Sequence, residues 1–125
     1  MKEFAKEKLV TVDATRIRAF AQASGDHNPI HLDESVAKSM GLPGVIAHGM
    51  LVADLLTEWL LHRLEKQNLN ATPRKISLRF RAMTLQDETV FAQARLNEKS
   101  GGDTWHAEAV SEAGEVKLSA EIVLS

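Results

Sequence analysis

The sequence predicts an α+β domain in which an antiparallel sheet wraps one long central helix. Three observations lead there. Apolar residues crowd nearly every side of the stretch that begins at Met50, the hydrophobic period changes from helical to two at Arg74, and beyond that point the chain breaks only at short turns. A helix apolar on all sides is one enclosed on all sides, and a run of antiparallel strands is an element able to enclose it.

Taken in order, residues 9–12 are short and rich in β-branched side chains, and form a first strand. Asp13 has the residue type and position of an N-cap for a helix over 14–24, in which Ile17, Phe20 and Ala21 share a face. Gly25 stands at the C′ position, where only glycine enters the left-handed conformation without steric cost, so the chain turns before Asp26. Residues 26–31 cannot be helical through their middle, because Pro29 lacks an N–H and pushes Asn28 out of the α region. Asp33 caps a brief helix over 34–40, ended by Gly41 and Pro43, and residues 44–49 make a second glycine-bounded connection.

The long helix runs from 50 to about 68. Within it Asp54 is the least expected residue, since a buried carboxylate among apolar neighbours requires a partner. From Arg74 onward Ile76, Leu78, Phe80 and Ala82 alternate with Lys75, Ser77, Arg79 and Arg81, as in a strand with one wet face. Three further strands are expected over 89–96, 104–110 and 115–124, joined by Ser100-Gly101-Gly102 and Ala113-Gly114.

At 125 residues, 44% of them apolar, the chain is expected to be a single domain over residues 1–125 with one core. Fifteen basic and seventeen acidic residues are interspersed and leave a net charge of −2, which argues against nucleic acid as a partner. Cysteine is absent, so disulfides, a thiol nucleophile and thiolate metal sites are excluded. The start MKEFAKEKL has charges but no apolar core with a cleavage site, and the most apolar stretch, 45–56, is far short of the roughly 20 residues a bilayer requires. A cytoplasmic protein with no membrane association is the expectation. A domain this small covers leftover apolar surface and strand edges by pairing with itself, so a homodimer or dimer of dimers is expected.

The chemistry concentrates in the two loops. Asp26 and His31 are five residues apart in a segment stiffened by Asn28-Pro29, which can hold both side chains on one small volume, as acid/base work on a single water requires. Taken alone, Gly25-Asp26 is ordinary turn composition. The full string Ser24-Gly25-Asp26-His27-Asn28-Pro29-Ile30-His31 is more specific, and it resembles the signature of the (R)-specific enoyl-CoA hydratases and the wider MaoC-like dehydratases. A second hallmark of that family, an apolar run ending in His-Gly-Met, is matched by Val45-Ile46-Ala47-His48-Gly49-Met50.

The resemblance reaches from about residue 20 to 57, and more loosely through 76–80. It implies a hot-dog fold, Asp26 and His31 as the catalytic pair, and the backbone N–H of Gly49 as the oxyanion donor. An amide at a helix N-terminus is independently suited to that task. Asn28 of the motif, His48 as a shaper of the loop, and Thr57, where the hydratases often carry a hydroxyl, complete the candidate binding residues. The implied reaction is reversible hydration of a trans-2-enoyl-CoA to the (R)-3-hydroxyacyl-CoA. It needs no metal or cofactor, because coenzyme A or an acyl carrier arm is part of the substrate and its thioester is the electron sink. The sequence departs from the family pattern at Ala23 and at Met83-Thr84-Leu85-Gln86-Asp87, positions that bear on substrate shape.

Other residues have plainer readings. His27 and His31 have the spacing of zinc-binding helices, but Pro29 between them prevents the helix. His62 and His106 read as ordinary helix-face and strand residues. Arg74, Lys75, Arg79 and Arg81 could meet coenzyme A phosphates, although a solvated strand face explains them equally. Two alternatives share the fold: a hot-dog acyl-CoA thioesterase using Asp54 or Glu58, and a non-catalytic acyl-binding subunit. Both make less use of the loop signature.

Overall fold

The computed structural model of the chain describes residues 2–69 and 71–125. Strand β1 (Glu3–Thr11) leads into α1 (Ala14–Ser24); a 3₁₀ turn (Pro29–His31) and α2 (Glu34–Ser39) precede the central helix α3 (Gly49–Glu65). Strands β2 (Pro73–Phe80), β3 (Thr89–Leu96), β4 (Thr104–Val110) and β5 (Val116–Leu124) follow. The five strands form one sheet in the order β1-β3-β4-β5-β2, with every neighbouring pair antiparallel. The sheet and its central helix make a hot-dog fold.

The helix signals act locally as their residue types dictate. Asp13 Oδ1 accepts the N–H of Arg16 at 2.9 Å, and Gly25 ends α1 at φ 80°. Asp33 Oδ1 caps α2 through the N–H of Val36 at 3.1 Å. The sheet-facing side of α3 forms the core: Leu56 and Leu60 are fully buried, with Leu64 at 1% exposure. Ala92, Ala107 and Ala109, also fully buried, supply small side chains on the sheet within the same core.

Three expectations need correction. The first strand begins at Glu3 rather than at residue 9. Its pairing with β3 shifts register between Phe4 and Glu7 and again between Lys8 and Val10, which breaks the two-residue alternation along this charged stretch. The central helix starts at Gly49 and ends at Glu65, short of 68, and it is not enclosed on all sides. Met50, Asp54 and Glu58, spaced four apart, form an exposed stripe, so the Asp54 carboxylate meets solvent and requires no buried partner. Strand β2, at one edge of the sheet, ends at Phe80, before Ala82, and this chain covers its apolar row only in part: Leu78 packs against the core, whereas Ile76 is 42% and Phe80 54% exposed. No helix among the described residues is long and apolar enough to cross a membrane.

Candidate active site

The left-handed end of α1 delivers the chain into two nested side-chain turns. Asp26 Oδ1 accepts the N–H of Asn28 at 3.2 Å, and Asn28 Oδ1 accepts the N–H of Ile30 at 3.2 Å, opening the 3₁₀ turn that carries His31. Asn28 is thus a backbone cap, and one oxygen of Asp26 is occupied in the same way. The other oxygen, Oδ2, stands 3.9 Å from His31 Nε2. That is too long for a direct hydrogen bond and short enough for an ion pair or a shared water.

The two side chains differ in setting. The Asp26 side chain is 52% exposed, whereas that of His31 is 10% exposed. His31 Nδ1 lies 2.7 Å from the carbonyl oxygen of Ile46. A carbonyl only accepts, so Nδ1 carries the hydrogen and Nε2, the nitrogen facing Asp26, is where a proton is gained or lost.

His48 buttresses the pair. It is 2% exposed, its Nε2–H donates to the backbone carbonyl of Asp26 at 2.9 Å, and its ring stacks on that of His31 with centroids 3.9 Å apart and planes 24° apart. The Phe20 ring lies 4.9 Å away from the His48 ring. His48 Nδ1 is buried and without a hydrogen-bond partner. Asp26, His31 and His48 offer potential ligand atoms within 4.8 Å of one another. Of these groups, His31 Nδ1 and His48 Nε2 already face backbone carbonyls. His27 is exposed and outside this cluster.

Gly49 is the first residue of α3, so its N–H has no acceptor inside the helix. It lines, together with His31, Val52, Phe80, Met83 and Leu118, a cleft of about 370 Å³. A side chain at residue 49 would not fit the present arrangement, since a Cβ there would stand 2.7 Å from Cε1 of the Phe80 ring. The cleft is predominantly apolar with a few polar groups, among them the His31 ring, the Gly49 N–H and Arg81 at its wall, a composition suited to an acyl chain with one polar function.

Asp26, Asn28, His48 and the remaining sequence candidates are not among the residues that line this cleft. The Thr57 hydroxyl donates to the carbonyl of Ala53 at 2.9 Å, one turn back along α3. Arg74 pairs with Asp103 at 3.5 Å, and Lys75 and Arg79 are exposed. His106 sits between Glu108 and Glu121 on the sheet. Conversely, sequence reasoning passed over the Ile46 carbonyl, the Phe80 ring against Gly49, and Lys117. Only the last left a signal, as a lysine inside the apolar strand Val116-Lys117-Leu118-Ser119-Ala120.

Known proteins with similar sequences and structures bear on this arrangement. The family model of the MaoC like domain matches residues 1–117. The solved structure of the (R)-hydratase from A. caviae involved in PHA biosynthesis superposes with a TM-score of 0.83 at 26% identity, covering 100% of this chain and 96% of that one. The (R)-specific enoyl-CoA hydratase of Aeromonas caviae is 41% identical over 51 residues, 41% of this chain and 38% of that protein. The 3-hydroxyacyl-thioester dehydratase X of Mycobacterium tuberculosis is 47% identical over 45 residues, 36% of this chain and 16% of that protein. The matched stretches thus span well under two thirds of the length of these curated relatives. With a family model matched across residues 1–117, a hot-dog sheet around one helix and the loop signature folded beside the helix N-terminus, the chain belongs to the MaoC-like domain family.

Proposed function

We propose that this protein catalyses the reversible hydration of a trans-2-enoyl-CoA to the (R)-3-hydroxyacyl-CoA. The observation that carries the reading is that His31 and Gly49, the first residue of α3, line one apolar cleft while Asp26 Oδ2 stands 3.9 Å from His31 Nε2. The Asp26 carboxylate takes a proton from water as the water oxygen bonds to C3. The electron pair of the double bond moves into the thioester, whose oxygen the Gly49 N–H and the helix dipole hold as an enolate. His31, protonated and donating Nδ1–H to Ile46, delivers its Nε2 proton to C2. Protonated Asp26 and neutral His31 then exchange that proton across the 3.9 Å gap and restore the starting state.

In this reading His48 and Asn28 hold the loop, Thr57 supports the helix on which Gly49 sits, and no metal or cofactor takes part. The (R) outcome is supported by the family and by the likeness to the A. caviae hydratase. The working unit is a cytoplasmic homodimer or dimer of dimers. Its second copy covers the apolar row that β2 leaves exposed, with Ile76, Phe80 and Met83 between 42% and 54% exposed.

The test is loss of the conjugated-thioester absorbance of crotonyl-CoA and of a longer 2-enoyl-CoA, with wild type, Asp26→Asn and His31→Ala. Turnover by wild type, lost in both variants with folding intact and no thiol released, is the expected result. Thiol release without hydration would instead make the protein a thioesterase, with the exposed Asp54 and Glu58 of α3 as its carboxylates. No reaction with any enoyl or hydroxyacyl thioester, on coenzyme A or acyl carrier protein, would leave a non-catalytic acyl-binding subunit.

A further inference from the structure

Among the described residues, Lys117 is the one lysine of the sheet that is buried, at 7% exposure, and it lines the same cleft as His31 and Gly49. A buried ammonium is costly unless its donors are met, and here three acceptors surround it. Its Nζ lies 2.9 Å from the carbonyl of Met83, 3.0 Å from Glu88 Oε2 and 3.3 Å from Glu115 Oε1. An ammonium has three hydrogens, so none is left over for a substrate, and direct chemistry by Lys117 is disfavoured.

Two of those acceptors, the Met83 carbonyl and Glu88, belong to the segment 81–88. The Lys117 backbone carbonyl accepts the N–H groups of Arg81 and Ala82, its side chain binds Met83 and Glu88, and Glu88 Oε1 in turn accepts the N–H of Leu85 at 3.1 Å. This segment includes Met83 to Asp87, where the sequence departs from the family pattern. It grips the second loop from the other side: the N–H of Ala47 donates to Thr84 at 2.8 Å, that of Gln86 to Val45 at 3.0 Å, and Ile46 bridges Leu85. Ile46 is the residue whose carbonyl receives His31 Nδ1–H.

We infer that Lys117 is a positioning residue for His31: by tying residues 83–88 in place it fixes Val45 to Ala47, and so fixes the Ile46 carbonyl that reserves Nε2 of His31 for proton transfer towards Asp26. The chain of contacts is short, and each link is a hydrogen bond or ion pair with an atom of the next segment. A charged residue serves here where an apolar one would not, because the Met83 carbonyl and the Glu88 carboxylate are held only by a donor between them. The catalytic consequence rests on the hydratase reading, whereas the structural link does not.

The test separates the two. Long-range ¹H–¹⁵N spectra of the folded protein report which nitrogen of His31 carries the hydrogen, independently of any substrate. Wild type and Lys117→Arg are expected to show Nδ1–H alone, and Lys117→Met to show a mixture of the two tautomers. With crotonyl-CoA, Lys117→Met is expected to lose about tenfold in kcat with little change in KM, and Lys117→Arg to recover most of it. Should Lys117→Met fail to fold, Glu88→Gln keeps the shape and the acceptor for Leu85 while weakening the hold on Lys117, and is expected to shift the same His31 signals to a smaller extent. An unaltered His31 tautomer in the folded Lys117→Met, or in Glu88→Gln where Lys117→Met does not fold, would overturn the inference. A shifted tautomer in a protein whose wild type hydrates no enoyl thioester would keep the structural link and remove the hydratase reading.

Discussion

The two edges of the sheet end differently. At the β1 edge Phe4 is 1% exposed, stacked on Trp105 with centroids 5.2 Å apart and set edge-on to Trp59 at 6.1 Å, while the Arg63 guanidinium lies 5.1 Å from its ring centre. At the β2 edge Phe80 is 54% exposed, and its ring rests against Gly49 at the start of α3. One edge is finished by the chain's own side chains; the other is left open, and the candidate active site lies beside the open one. The cleft thus lies at the end whose apolar surface this chain alone leaves uncovered, the surface that a second copy covers in the proposed dimer.

Substitutions at the two edges should therefore separate stability from activity. The largest effect is expected from His31→Ala and Asp26→Asn beside the open edge, with kcat/KM falling by about 10² to 10⁴ while the thermal transition stays near that of wild type. At the closed edge Phe4→Ala is expected to cost about 3–5 kcal/mol in urea unfolding with the activity per folded molecule retained, because it empties an aromatic cluster far from the cleft. The matching change at the open edge, Phe80→Ala, should cost the fold of the single chain less than about 1.5 kcal/mol, since this chain alone buries only about half of the residue, yet it should raise KM. If both phenylalanines prove equally important for stability, the contrast between the edges fails. Ile76→Asp sharpens it further: the secondary structure should be preserved while the oligomer seen by light scattering shifts towards monomer.

The smallest expected effect lies on the outer face of the sheet. Burial pushes the Glu108 carboxyl up, but the Gln93 amide, the His106 ring and the charge of Arg95 together outweigh it and hold the group below its ordinary value. A carboxyl lowered on folding contributes stability that is present above its unfolded value, about 4.3, and is lost as pH falls through its folded one. Glu108→Gln should accordingly lower stability at neutral pH by a few tenths of a kcal/mol and make the further loss of stability on acidification below about pH 4 correspondingly smaller.

Local signals made much of this molecule legible. Asp13 and Gly25 bracket α1 at the expected residues, Asp33 caps α2, and the strands β3 and β4 have the expected bounds, because caps and two-residue alternation act within a few residues of the chain. Asp26, His31 and Gly49 were singled out by the resemblance of the two loop motifs to a family, not by local propensity. The first half of β1 escaped because its register shifts interrupt the alternation that would have announced it, and the open stripe on α3 escaped because an apolar composition states what a face prefers, not what is present to cover it.

Sequence by itself determined the fold class, the central helix and the pair of residues that carry the proposed chemistry. Only the tertiary structure decided how that pair is held. The bond from His31 to the Ile46 carbonyl, the stacking of His48 on His31 and the grip of Lys117 on residues 83–88 join segments 15 to 34 positions apart. No local propensity encodes such contacts; they exist because packing one sheet around one helix brings the segments together.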